Sequence, residues 1–217
     1  MNVTLLKSEN ETEKYISKTL ECLDKLLTKG TFTDGYVFMN NDTIATKLLA
    51  FKGRAKSNYY LFCISKDAND SVTVYKANEI KGYQIDDNLY LSHSSQGDDF
   101  FIQKIKSGRV DLYERDYIPS DKHFLYYLKF QQYNDLLVIS PYEDNFKVWE
   151  YDRNSSSGVR GQQTAIIESK KIHQKFKVFI NQYFGDCGAV VNLVQAEIFF
   201  IADLPEIVET FNNCDKN

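Results

Sequence analysis

Gly35-Tyr-Val-Phe-Met-Asn-Asn-Asp-Thr-Ile-Ala-Thr-Lys-Leu-Leu-Ala-Phe51 is the stretch on which the fold turns. Two β-prone runs flank Asn40-Asn41-Asp42, the composition of a tight hairpin loop. The same order of strand, polar turn and strand recurs for the next hundred residues. From Thr31 the apolar period is two, which predicts strands at Tyr36–Met39, Thr43–Phe51, Tyr59–Ser65, Val72–Tyr75, Tyr83–Ile85 and Leu89–Ser92. It predicts five more at Phe100–Ile105, Val110–Arg115, Phe124–Phe130, Leu136–Ser140 and Phe146–Tyr151. The separators are turn-rich, as in Asp67-Ala68-Asn69-Asp70, Asp86-Asp87-Asn88 and Ser107-Gly108. Connections this short favour antiparallel neighbours, because parallel ones need a crossover of a dozen residues or more.

Outward from the strands the period becomes helical. In the N-terminal segment, residues 1–30, a helix is expected over Thr12–Leu27: Tyr15, Ile16, Leu20, Leu23, Leu26 and Leu27 fall near a period of 3.6, and Gly30 stops it. On the C-terminal side Ile172, Phe176, Phe179, Ile180 and Tyr183 line one face of Ser169–Phe184, with lysines mostly elsewhere. Asp186 is expected to cap a short helix through Val194, and Asp203 with Glu206 has the form of a capping box for a last helix ending near Asn212. Between strands and helices, Arg153–Gln163 is Gly/Ser-rich and reads as a mobile loop.

The fold class that follows is α+β: a long antiparallel β-meander of roughly nine to eleven strands, curled into a barrel-like or two-layer sheet. An N-terminal helix and two to three C-terminal helices pack on it. The β domain spans 31–152, the helical segment 164–217, and the whole is read as one structural unit. The first hairpins are expected to form a small SH3-like or PH-like barrel.

Bulk composition narrows the function classes. The chain has 15 Tyr and 15 Phe but one Trp. Such a balance suits strands with one buried and one wet face, since tyrosine packs its ring and solvates its hydroxyl. With 26 basic against 30 acidic residues the net charge is −4, so nucleic acid is a disfavoured partner. No apolar run reaches the length of a membrane span. Because the first residues lack the features of a signal peptide, the expectation is cytoplasmic if the chain is complete as written, and periplasmic or cell envelope if it is a leader-less mature form.

Candidate chemistry is sparse. Cys187 lies at an expected helix start, where backbone N–H groups favour a thiolate, and His123 or His173 would serve as its base. Alternatively Cys187 pairs with Cys214 in a disulfide that staples the last helices together in an oxidising compartment. Cys22 and Cys63 are expected to pack as small apolar groups. His93-Ser94-Ser95-Gln96-Gly97-Asp98-Asp99 holds the residue types of a hydrolase triad, but within one hairpin loop. Asp86-Asp87 and Asp98-Asp99 lack the pattern of a calcium loop, and Ser155–Gly161 lacks that of a phosphate-binding loop. Lys52, Arg54 and Lys56 with Tyr59 and Tyr60, extended by Lys81 and Lys104, form a candidate basic and aromatic surface. No metal or cofactor is expected.

Several landmarks in order resemble a β-rich family of uncharacterised proteins common in Bacteroidetes. They are Gly35-Tyr36-Val37 with Asp42-Thr43-Ile44, Glu79-Ile80-Lys81-Gly82-Tyr83 with Leu89-Tyr90, and Lys106-Ser107-Gly108-Arg109-Val110-Asp111-Leu112-Tyr113. Then come Tyr126-Tyr127-Leu128-Lys129, Tyr183-Phe184-Gly185-Asp186-Cys187 and Phe211-Asn212-Asn213-Cys214. The resemblance implies export to the cell envelope and carries no activity. The function expected is a non-enzymatic binding or structural module for an unknown protein or small-molecule ligand, acting through aromatic sheet faces or the 153–163 loop. The alternative is a hydrolase or thiol enzyme using Cys187 with a histidine base.

Overall fold

The computed structural model describes residues 21, 23–95, 98–118, 123–132, 136–139 and 173–214. Residues 12–20 of the expected helix Thr12–Leu27, the strand Phe146–Tyr151 and the loop Arg153–Gln163 lie outside these, as does Cys22. The chain separates into two compact units, Met1–Lys104 and Ile105–Asn217, so the boundary falls inside the span 31–152 taken from sequence as one domain.

In the first unit a short helix, α1 (Leu23–Lys29), precedes strands β1 (Thr31–Phe38) and β2 (Thr43–Ala50). They are the opening hairpin, in full register from Thr31↔Ala50 to Phe38↔Thr43, and its loop is closed by the Met39 N–H donating to the Asp42 carbonyl at 2.8 Å. After a 3-10 helix at Gly53–Tyr60 come β3 (Phe62–Lys66), β4 (Val72–Lys76), β5 (Gly82–Ile85), β6 (Asn88–Ser95) and β7 (Asp98–Lys106), which runs across the unit boundary. The expected strand Tyr59–Ser65 thus begins three residues late. The cause is tertiary: the Phe51 N–H donates to the Tyr59 hydroxyl at 2.7 Å, and the Tyr83 hydroxyl donates to the Tyr59 carbonyl at 2.5 Å. Those bonds hold Tyr59 in the helical turn, where its ring stacks on Tyr90.

Two cores fill this unit. Val37, Leu48, Tyr60, Cys63, Tyr83, Ile85, Tyr90 and Phe101 form one; Leu49, Phe51, Leu61, Phe62 and Ile64 form the other, against which Leu23, Leu26 and Leu27 of α1 pack. Each apolar side chain fully buried here contributes about 1.5–3 kcal/mol of transfer free energy. Gly35 allows β1 to lie close to its neighbours: a Cβ there would stand 2.5 Å from the Gln84 carbonyl oxygen and 2.6 Å from Leu48 Cδ1.

The second unit contains β8 (Val110–Ile118), β9 (His123–Phe130) and β10 (Leu137–Ile139), then α2 (residues 173–184), α3 (Gly188–Gln195) and α4 (Leu204–Asn212). Val110, Leu112, Leu128 and Phe130 present one face of β8 and β9 to Phe176, Ile180, Phe184, Val190, Val194, Ile207, Val208 and Phe211 of the helices. Period two on the strands and about 3.6 on the helices therefore meet in one apolar layer.

The ten described strands form an antiparallel sheet, and with the mostly C-terminal helices the class is α+β. The barrel-like closure expected from sequence, including a small barrel of the first hairpins, is corrected. β5 takes the free edge of β1, so β4 is left with β3 as its one ladder partner, and β10 bonds to β9 alone among the described residues. The β2–β3 ladder is also only two pairs long, Lys47↔Lys66 and Leu48↔Ser65, because the 3-10 helix occupies the approach to β3. An open sheet results.

Candidate functional site

The densest set of polar contacts in the second unit surrounds Arg109, in the turn between β7 and β8. Its Nη1 donates to the Phe211 carbonyl at 3.4 Å and the Cys214 carbonyl at 3.2 Å, and Nη2 pairs with Asp186 Oδ2. The guanidinium also lies 4.2 Å from the centroid of the Phe211 ring. A planar cation over an aromatic face, with three of its donors on fixed oxygens, is held in one orientation.

Asn212 locks the same corner. Its Oδ1 accepts from the Val110 N–H at 2.9 Å, while its Nδ2 donates to the Val110 carbonyl at 3.0 Å and the Ser107 carbonyl at 3.4 Å. One side chain thereby satisfies both backbone groups of a fully buried strand residue. Gly108 makes room for it, since a Cβ there would collide with the Asn212 amide. Lys106 Nζ to Glu209 Oε2 at 2.6 Å ties the end of β7 to α4.

Cys187 and Cys214 are joined in a disulfide with Cα atoms 5.9 Å apart. It links the turn before α3 to the second residue after α4, directly beside Asp186 and the carbonyl that Arg109 holds. With its sulfur bonded, Cys187 presents no free thiol for the nucleophilic role weighed from sequence. His173 sits at the start of α2, 8% exposed, 4.8 Å from the Phe200 ring centroid and 6.4 Å from that of Phe176. Burial, together with the nearby Lys177 charge, pushes its pKa below the ordinary histidine value, against smaller opposing effects of Glu197 and the Val194 carbonyl. Among the described residues neither ring nitrogen reaches hydrogen-bond geometry. His123 lies on β9, and its side chain is outside the described residues.

Asp186 does not cap α3 as expected; Cys187 occupies the N-cap position without a side-chain bond, and the carboxylate goes to Arg109. Asp203 is the N-cap residue of α4 as expected but makes no side-chain bond there; its carboxylate instead accepts from the Phe200 N–H at 2.8 Å, the capping bond of the preceding 3-10 turn Ile201–Asp203.

The remaining candidates disperse. His93 and Ser94 are successive strand residues and point to opposite faces: His93 meets the Phe100 ring, whereas Ser94 bonds Asp99. No shared site can form from them. Tyr60 is 7% exposed and Tyr59 is half-buried in the core, so the aromatic part of the proposed basic surface is internal. Lys81 Nζ donates to the Asn40 carbonyl at 2.7 Å. Cys63 is buried among tyrosines, and desolvation pushes its thiol pKa far up, so it packs as an apolar group. Among the described residues no three His, Cys, Asp or Glu converge as metal ligands, and no helix is long and apolar enough to cross a membrane.

A groove of about 460 Å³ opens beside the Arg109 corner. Phe130 and Phe211, both nearly fully buried, lie beneath it. Gln131 and Gln132 from the end of β9 line one part; Asn181, Gln182 and Tyr183 of α2, followed by Gly185 and Asp186, line another. Gln131 Nε2 donates to the Gly108 carbonyl at 3.1 Å. Sequence reading did not single out these amides. The signal was present as two similar tripeptides, Gln131-Gln132-Tyr133 and Asn181-Gln182-Tyr183, but only the tertiary structure puts them together. Three of the stretches quoted above, Lys106–Tyr113, Tyr183–Cys187 and Phe211–Cys214, also meet at this corner.

Comparison with protein-family models, curated proteins and solved structures returns no match to the chain.

Proposed function

We propose that the chain is a non-enzymatic binding module whose contact surface is the groove beside Arg109, its ligand an unknown protein segment or small molecule. The observation that carries this reading is a concave surface held rigid from behind. Arg109, Asn212 and the Cys187–Cys214 bridge join β8, α3 and α4 around it, and a preorganised surface loses little entropy when a ligand arrives. The volume lies in the range of small-molecule sites. Nothing favours the thiol-enzyme alternative, because the sulfur it needs is bonded. Among the described residues the groove's one cation is already paired with its one anion, which argues against a polyanionic partner.

The disulfide supports residence in an oxidising compartment. Export of that kind is also what the resemblance to the Bacteroidetes family implies, and membership of that family is proposed on the same footing. The test is an amide-shift screen of the full, oxidised chain against a fragment library. Ligands that move the signals of Gln131, Gln132, Asn181, Gln182 and Asp186 support the proposal. A library that moves none of them refutes it.

A further inference from the structure

We infer that the groove takes a neutral, hydroxyl-rich ligand of the carbohydrate class; the inference rests on the groove being the binding surface. Charge is the first argument. Three of the five Arg109 donors go to Asp186 and to two backbone carbonyls, its face lies on Phe211, and its charge is met by Asp186, which disfavours it as an anchor for a carboxylate or phosphate. With Asp186 neutralising it, the lining offers no net charge to an ionic ligand among the described residues.

The second argument is the hydrogen-bonding inventory. Gln132, Asn181 and Gln182 are exposed, and their side-chain amides make no hydrogen bond among the described residues. Each carries two donors and an acceptor. The complementary ligand must therefore present donors and acceptors side by side on every edge. Adjacent hydroxyls do this, since each oxygen donates once and accepts twice. Asp186, with one oxygen engaged by Arg109 and its side chain 59% exposed, adds an acceptor for a charge-assisted bond from a hydroxyl.

The third argument concerns apolar anchors. Phe130 is 2% and Phe211 3% exposed, so the aromatic base is sealed and leaves no hole for a hydrophobic side chain. Peptide recognition draws its specificity from such pockets or from a free sheet edge. Tyr183, half-buried at the rim with its ring packed against Phe130 and Phe179, adds an aromatic side chain beside the amides.

The test is titration of the full, oxidised chain with neutral malto-, cello-, manno- and chito-oligosaccharides up to about 10 mM, followed by amide shifts. The expected result is that at least one of these perturbs the groove residues with an affinity insensitive to salt. The double variant Asn181→Ala/Gln182→Ala should weaken that affinity about tenfold or more. Asn41→Ala, an exposed amide of the other unit, should leave it unchanged. Because all three positions are exposed, loss of fold is not expected to obscure the outcome, and far-ultraviolet circular dichroism checks it. Groove signals that respond to fragments or peptides but to no saccharide overturn the ligand class and leave the binding module standing. Saccharide shifts elsewhere, unaffected by the double variant, overturn the ligand class as well. Silence of the groove toward saccharides and fragments alike overturns both readings.

Discussion

Opening the Cys187–Cys214 bridge should destabilise the second unit by an amount set by the length of chain it closes. The two cysteines are 27 residues apart. In the chain-entropy treatment a loop of that length removes about 12 cal/mol/K from the unfolded ensemble, or about 3.5 kcal/mol at room temperature. Cys214→Ser is the variant of choice: Cys214 is partly exposed, whereas Cys187 is fully buried and its freed thiol still packs as a small apolar group. Urea unfolding followed by near-ultraviolet signals of the helix–strand core and by the helical circular dichroism signal reads chiefly this unit, since among the described residues α2, α3 and α4 belong to it and the first unit holds only the short α1. With a slope of about 1.5–2 kcal/mol/M, the midpoint should fall by about 2 M. A thiol reductant should move the native protein by the same amount and leave Cys214→Ser where it was. A shift below about 0.5 M, or a reductant effect as large in the variant as in the native chain, would falsify the account.

Asn212→Ala should cost about 2–3 kcal/mol, because it orphans the N–H and carbonyl of the fully buried Val110; thermal unfolding of the second unit reads it, and a loss under half that size contradicts the role assigned. Gly35→Ala should cost about 1–3 kcal/mol in the first unit by forcing β1 away from Gln84 and Leu48, and a variant as stable as the native chain refutes the close approach. His173 provides the pH dependence. Its folded pKa is depressed, so the unfolded chain binds the proton more readily. The associated stability is therefore complete above the unfolded value of about 6.5 and is lost as pH falls through it toward the folded value. Urea midpoints measured from pH about 7.5 down to about 5.5 should decline, and His173→Phe should flatten that slope; an unchanged slope in the variant contradicts the burial argument.

Much of the molecule was legible one element at a time. The hairpin at Gly35–Phe51 reads directly because Asn40-Asn41-Asp42 interrupts two β-prone runs, and alternation or a 3.6 period reported most of the strands and α4 within a few residues. Misreadings came where a distant group competed for a local one. Tyr59 has strong β-propensity, but its hydroxyl and carbonyl are claimed by Phe51 and Tyr83, so the chain turns there. Asp186 has the right type and place for a helix cap, yet Arg109, 77 residues earlier, takes its carboxylate. The capping rule counts residues along the chain and has no term for such a competitor.

By itself, then, the sequence determined the α+β class, the antiparallel strand order in its simplest hairpins, and which faces are apolar, because these follow from periods of two and 3.6 and from turn chemistry. Only the tertiary structure decided that β5 returns to the free edge of β1 and keeps the sheet open. It alone gathered Arg109, two amide pairs, Asp186 and a disulfide around one groove. The physical reason is separation: hydrogen bonds, ion pairs and stacking act over a few ångströms of space, and the residues that share this groove lie up to about a hundred positions apart in the chain.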